Sequence, residues 1–453
     1  MNMKWTKRVV TLIFFIFVAG CSFGSDRHKN DDVTLNFFLN VGRSSNDSRN
    51  ALIERLQAKF PEYNLRFISP VGSFENGNRN RNFEAVIRDG VFPDLLLDEA
   101  HIVPQYVQAG LTMDHTQLAR SAGLDLGTIE TALLETTRAY SESGQLYGIP
   151  YRTELYGLIY DKERFDRAGV PYPRKGMTWR ELIALSRAFN TGKGEGLAVD
   201  WLGLESRYDL HYVDSRTGEP MPDEGNWRKA LNLWSDVLEI PGNSNNISKD
   251  YALSQPAMYA GRMEARPNLM TNWDLLPYPA DDSGETPRVN HLKWVLAVSP
   301  TSNHKNEAMR IIAYMLSEPF QAENARNGEA TVLRNKDIHA SYGANLPGFS
   351  GKNVAALYAA SYQQPKQPLS KYDLSWRFSS AYALWPMGDI FTEYALWPMR
   401  NINLYTFAQG GMTIDQTIQS LKNDTASNTT SVKPVFEESA ERVAKEIKRN
   451  QER

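Results

Sequence analysis

Residues 145–189, QLYGIPYRTELYGLIYDKERFDRAGVPYPRKGMTWRELIALSRAF, decide how the rest of the chain is read. Tyr147-Gly148-Ile149-Pro150 is a turn running into a strand, and Leu155 to Tyr160 is a second strand candidate. A short helix follows to Ala168 and stops at Gly169, where a residue without Cβ suits a left-handed terminator. Pro171 and Pro173 keep the next link extended. Thr178 then caps a helix, with Glu181 three residues on to complete a capping box. Leu182, Ile183, Leu185 and Phe189 give that helix an apolar face.

Upstream, VTLNFFL from Val33 to Leu39 is a strand, Arg49 to Phe60 an amphipathic helix ended by Pro61, and Leu65 to Ile68 a second strand. This β-α-β order predicts a parallel sheet. Ligands sit beyond the carboxyl ends of strands in such sheets, which places Asn40 and Arg43 at a candidate site. A helix over Phe83 to Asp89 leads to Pro93-Asp94 and an apolar strand ending at Asp98. Downstream, Asn226 to Leu238 is an amphipathic helix with Trp227 and Trp234 facing a core, and Asn306 to Leu316 is another helix. Trp294 to Ser299 is a strand. YALWPM occurs at 382–387 and again at 394–399, a local duplication too short for a repeat architecture. Glu437 to Arg453 reads as a charged peripheral tail, compatible with a helix.

The ordered string YGIP, LIYD, AG-P-P and TW-EL over residues 147–182 resembles the extracellular solute-binding proteins of bacterial ABC importers, in their family 1, maltodextrin-type group. Further segments keep the family's order: PD before the strand at 95–98, SQPAMYAGR at 254–262, WDLLPYP at 273–279, and GGMTID at 410–415 opening the last helix. The resemblance implies an α/β, two-lobed periplasmic-binding-protein-like fold of type II, its lobes joined by a multi-strand hinge. Lobe 1 would comprise residues 33–152 plus 296–335, lobe 2 residues 153–295 plus 336–425, and 426–453 the C-terminal tail.

The N-terminus carries Lys4, Lys7 and Arg8 and then an apolar run from Val9 to Ala19, the pattern of a signal peptide over residues 1–20. The run falls short of the ~20 residues that span a bilayer. It ends Val18-Ala19-Gly20-Cys21, which resembles a bacterial lipobox, so Cys21 is the expected lipidation site and residues 21–32 a tether. The competing reading is an uncleaved anchor helix with an incidental cysteine. Cys21 is the one cysteine in 453 residues, which excludes disulfides and cysteine-based metal sites within the chain. Net charge is −3 with both signs mixed, and no basic patch points to nucleic acid. Aromatics reach 11 %, including 10 Trp and 21 Tyr, which suits both large cores and stacking on sugar rings.

By the family's spacing, Glu154 after GIP is the first expected ligand contact, with Tyr151 and Arg152 on the same interlobe crossing. Its competing role is a hinge ion pair. Asp98 follows a strand end, Trp201 is a candidate ring in lobe 2, and Glu264 follows the AM segment. Trp397 matches a stacking tryptophan, with Trp385 as its duplicate alternative. No cofactor or metal is expected, because the seven histidines lack ligand spacing and no catalytic or phosphate-loop motif is present. Together with the lipobox pattern, the family resemblance implies a monomeric, lipid-anchored receptor at the extracytoplasmic face of the cell membrane. It would capture a carbohydrate, most readily an oligosaccharide, for an ABC permease. The alternative is a sensing lipoprotein on the same scaffold that signals to a membrane kinase; a glycan-acting enzyme using Asp98 and Glu154 ranks third. Glu154→Ala is expected to abolish ligand binding and to leave the unliganded fold intact.

Overall fold

The computed structural model describes residues 33–39, 46–68, 83–189 apart from 142, 196–211, 223–241, 256–263, 272–363 apart from 286, and 403–452 apart from 405. The chain opens with strand β1 (Val33–Leu39), helix α1 (Asn46–Lys59) and β2 (Tyr63–Ile68). Next come α2 (Phe83–Arg88), β3 (Leu95–Glu99), α3 (Val103–Ala109), α4 (Thr116–Ser121) and α5 (Thr131–Arg138). β4 (Ile149–Glu154) passes through Leu155 into β5 (Tyr156–Asp161), followed by α6 (Lys162–Ala168) and α7 (Trp179–Ser186). Then follow β6 (Leu197–Val199), α8 (Trp201–Arg207), α9 (Glu224–Leu238), β7 (Met258–Arg262) and β8 (Trp273–Pro277). β9 (Arg288–Val298), α10 (Lys305–Met315), α11 (Glu318–Arg326), α12 (Lys336–Ala340), β10 (Ser361–Tyr362) and α13 (Ile414–Gln451) complete the order.

These strands form two sheets. One has the order β10-β9-β3-β1-β2, with β4 also paired to β9; the other is β6-β7-β5-β8. β1 lies parallel to β2 and β3, as the β-α-β opening predicts, while β9 runs antiparallel to β3 and β4. Alternate residues of β1 and β3 face opposite ways, as the strand period demands. Leu35, Phe37, Leu39, Leu95 and Leu97 enter one core with α4, α5 and α10, and Phe38 and Leu96 enter a second with α2 and α3. The other sheet has its own two cores. One gathers Trp179, Trp201, Trp227 and Trp234, and the other Leu155, Ile159, Trp273 and Phe349. Two sheets with separate cores make a two-lobed α/β protein.

The local signals of residues 145–189 take the expected form. Gly169 sits at φ 65° as the left-handed cap of α6, and Thr178 and Glu181 make both bonds of the capping box on α7. The C-terminal stretch differs from expectation in its packing. Residues 426–451 continue α13, helical as read, but the helix is not peripheral at its end, where Val443 and Ile447 are buried among Val86, Ile87, Ile102 and Tyr106. The i, i+4 spacing of Val443 and Ile447 puts both on one helix face, a stripe that the surrounding charges hide in a composition reading.

The lobes meet where several passes of the chain cross, and Asn290 of β9 ties neighbouring ones together. Its carboxamide oxygen accepts from the Tyr156 amide at 2.9 Å, just past the β4–β5 crossing. Its Nδ2 donates to the Leu357 and Ala360 carbonyls, 3.0 and 3.2 Å away, on a later pass. Its own carbonyl takes the Gln363 amide at 2.7 Å. Asn290 is fully buried, so each of these groups would be orphaned without it. Gly157 lets the passes approach: a Cβ there would lie 2.7 Å from Leu357 Cδ2 and 3.2 Å from the Leu276 carbonyl.

A second buried polar tie sits in lobe 1. The His115 ring accepts from the Val298 amide through Nε2 at 2.7 Å, which leaves the proton on Nδ1, 2.8 Å from the Leu146 carbonyl. Burial pushes its pKa below the ordinary 6.5, outweighing the two hydrogen bonds and Asp114. The unfolded chain therefore binds a proton there, as pH falls below about 6.5, that the folded chain does not. Stability contributed at this site is complete above that pH and declines below it. Urea melts at pH 7.5 and 5.5 should show a smaller acid loss for His115→Gln than for the parent. Asn290→Ala should lower unfolding stability by about 3 kcal/mol in the same assay, because a buried amide and two carbonyls lose their partner.

Candidate functional site

Both sheets deliver strand carboxyl ends to the hinge, where ligands sit in open α/β sheets. Glu99 at the end of β3 and Arg152 on β4 both pair with Trp294 of β9, and Glu154 at the end of β4 pairs with His291. From lobe 2, β6 ends beside Asp200 and β7 ends at Arg262. β4 is irregular along this edge. Its register shifts between Pro150 and Arg152 and again between Arg152 and Thr153. Pro150 has no amide to give to a ladder, and such bulges re-aim the side chains that follow.

Glu154 is the centre of the resulting polar array. Lys293 Nζ donates to it at 3.0 Å, His291 Nε2 lies 3.1 Å away, and the Tyr156 hydroxyl donates at 3.3 Å. Arg262 approaches to 3.9 Å and makes its close pair with Asp200, Nε to Oδ2 at 2.7 Å. Asp200 also caps α8 by accepting from the Leu202 amide at 3.1 Å. Burial alone would raise the Glu154 carboxyl; Lys293, His291 and Arg262 outweigh it and hold the pKa well below the carboxylate range. Burial likewise works against the Arg262 cation, and Asp200 and Glu154 more than restore it. Glu154 and Asp200 are nearly covered, at 7 % and 10 % exposure, whereas Lys293 and Arg262 keep 19 % and 30 % in contact with solvent. The arrangement is an alternating set of fixed acceptors and reachable donors. Among the described residues no cluster of His, Cys, Asp or Glu could hold a metal ion.

A family model for bacterial extracellular solute-binding proteins matches residues 80–334, more than half of the chain. The protein belongs to that family. The mannitol-binding protein of Pseudomonas aeruginosa is 24 % identical over 225 residues, which are 42 % of this chain and 50 % of the relative. The chain thus spans about half the length of the curated relative it matches. The fold is similar to the ABC substrate-binding protein from Listeria monocytogenes in complex with cycloalternan (TM-score 0.62, 16 % identity, 89 % of this chain and 99 % of that one). It is equally similar to the cyclic α-maltosyl-1,6-maltose binding protein from Arthrobacter globiformis (TM-score 0.63, 15 % identity, 88 % and 100 %). A solute-binding protein from Agrobacterium vitis with bound D-mannitol matches at TM-score 0.57 and 15 % identity, over 88 % and 99 %.

In this solute-binding protein, Arg152 and Glu154 occupy the hinge, and Arg152 forms an ion pair with Glu329. Tyr151 points into the lobe 1 core, where its hydroxyl accepts from Asn324 Nδ2 at 3.1 Å. Burial pushes that hydroxyl's pKa up to about 12. Asp98 is 1 % exposed; it accepts the Tyr106 hydroxyl and the Glu99 amide, which makes it a core carboxylate. Trp201 stacks into the lobe 2 core, its ring centroid 4.9 Å from that of Trp234, and its Nε1 donates to Glu205 at 2.7 Å. Asn40, Arg43, Glu264, Trp385, Trp397 and Cys21 lie outside the described residues.

Lys293, Arg262, Asp200 and Asn290 are the contributors that sequence reasoning missed. Their signal was local and weak: an N-cap aspartate before α8, an arginine closing the apolar strand MYAGR, and polar residues interrupting β9. The expectation that Glu154→Ala spares the unliganded fold does not survive this geometry. Removing the carboxylate leaves Lys293, His291 and Arg262 gathered around a void. Glu154→Gln should cost about 3 kcal/mol of folding stability. Because the Glu154 pKa is depressed on folding, its contribution is present above the unfolded value and lost as pH falls through the folded one. Denaturant melts from pH 7 to 3 should therefore fall less steeply for the Gln variant.

Proposed function

We propose that the protein captures a neutral polyhydroxylated solute, a carbohydrate or sugar alcohol, between its lobes and passes it to an ABC permease without chemical change. The observation that carries this reading is the Glu154–Lys293–Arg262–Asp200 array. It has two carboxylates, two cations and no net formal charge, set where the strand carboxyl ends of both lobes converge. Sugar hydroxyls both donate and accept, so they suit a surface of alternating acceptors and donors. A charged ligand would instead need an excess of one sign. The names of the similar proteins, which include mannitol and cyclic glucan binders, support the same class. Cys21 would carry the lipid that holds the receptor at the outer face of the membrane, and the lobes would close around a hinge at Leu155, Asn290 and residues 357–363. A ligand that prefers the closed form stabilises it by its differential affinity.

Differential scanning calorimetry against a panel of neutral oligosaccharides, monosaccharides and sugar alcohols, with acidic sugars and peptides alongside, tests this. A ligand at 100 times its Kd should add about 2.7 kcal/mol of stability. Arg262→Gln should weaken that ligand at least tenfold, with a smaller change in the unliganded melting temperature. A panel in which only acidic or peptidic solutes shift the transition would overturn the proposal.

A further inference from the structure

The hinge is not the lobes' sole connection. α13 starts on lobe 2, where Thr413 makes a capping box and Ile418 and Leu421 enter the core with Trp227 and Trp234. Arg228 pairs with Asp415 at 2.6 Å, and Lys422 pairs with Glu224, so α9 holds the first turns of the helix from the side. Thirty-eight residues of helix reach about 57 Å. At the far end, Val443 and Ile447 are 1 % and 5 % exposed in the lobe 1 core that contains Val86, Ile87, Ile102, Tyr106 and Ala109. That core lies against the face of the lobe 1 sheet that presents Phe38, Leu96 and Ala297. One helix is therefore rooted in lobe 2 and docked on lobe 1.

From this we propose that the distal half of α13 is a strap that sets the spacing of the lobes. Rotation at the hinge would displace the lobe 1 groove relative to the helix root on α9. The motion must then withdraw Val443 and Ile447 from their core or bend the helix between its two anchors. Pro434 lies inside that intermediate stretch and has no amide for the helical ladder, so it is where bending is easiest. The docked strap favours the lobe arrangement in which both anchors are satisfied, and releasing it widens the range of arrangements visited. The inference rests on the packing of α13 and is independent of which solute is bound.

Spin labels at Ser121→Cys in lobe 1 and Lys175→Cys in lobe 2, both exposed positions, in a Cys21→Ser background would report the interlobe distance by pulsed electron resonance without ligand. The otherwise unaltered chain should give one narrow distribution. Deleting residues 441–453 should broaden it at least twofold, and Val443→Asp combined with Ile447→Asp should do the same in the full-length chain. Ile447→Ala serves as a milder change should lobe 1 not tolerate the others. Circular dichroism establishes that each variant is folded. The strap is overturned by an unchanged distribution in any folded variant whose 441–449 amides have lost hydrogen-exchange protection or been deleted. It is equally overturned by a broad distribution in the otherwise unaltered chain. Ligand-binding results leave both outcomes unaffected, so failure here is distinct from failure of the proposed function.

Discussion

A two-lobed protein must bring several strands of distant sequence origin into one narrow seam without leaving their backbone groups dry and unpaired. Here that constraint falls on the Asn290 carboxamide. Ordinary sheet pairing does not supply partners for the Tyr156 amide and the Leu357 and Ala360 carbonyls, because at this point the passes turn from one sheet toward the other. A side chain with one acceptor and two donors, fixed on β9, meets all three. Aspartate could accept but not donate, and leucine could do neither. The seam is also thin, since the Leu357 side chain occupies the space that a Cβ on residue 157 would take. The lobes are therefore joined at a hydrogen-bonded point and not by a loose linker.

Next to that pivot lies the charged array. A buried carboxylate costs several kcal/mol unless cations and hydrogen bonds offset its desolvation. Glu154 has all of them, from β9, β5 and β7. Because the partners come from both lobes, the array depends on the lobes being correctly placed, and it also fixes the hinge residues that place them. Lys293 and Arg262 keep part of their surface in water.

What could be read in advance follows the range of the forces involved. β1, the capping box on α7 and the Gly169 terminator depend on neighbours within a few residues, and each lies where local pattern puts it. β9 was expected to begin near Trp294 and begins at Arg288, because Asn290, His291 and Lys293 break the apolar run that marks a strand. Their partners lie more than a hundred residues away or across the seam, beyond the reach of periodicity. Within the apolar stretch AVDWLGL at 198–204, Asp200 separates β6 from α8. Asp98 and Trp201 were placed near the site through strand-end logic and through aromatic character. Both criteria locate a backbone position without saying which way the side chain turns, and these two turn inward. Of the two roles weighed for Glu154, the hinge ion pair is the one its contacts with Lys293 and His291 display.

The indoles are unevenly distributed. Trp179, Trp201, Trp227 and Trp234 share one core of lobe 2 and Trp273 lies in the other, with Trp201 and Trp234 close enough for their excited states to mix. Trp294 is the one on the lobe 1 side of the seam among the described residues. Ultraviolet emission from the described indoles is thus weighted toward one lobe's interior. A change in its colour would speak of repacking there, and motion of the two halves as rigid bodies could pass almost unseen.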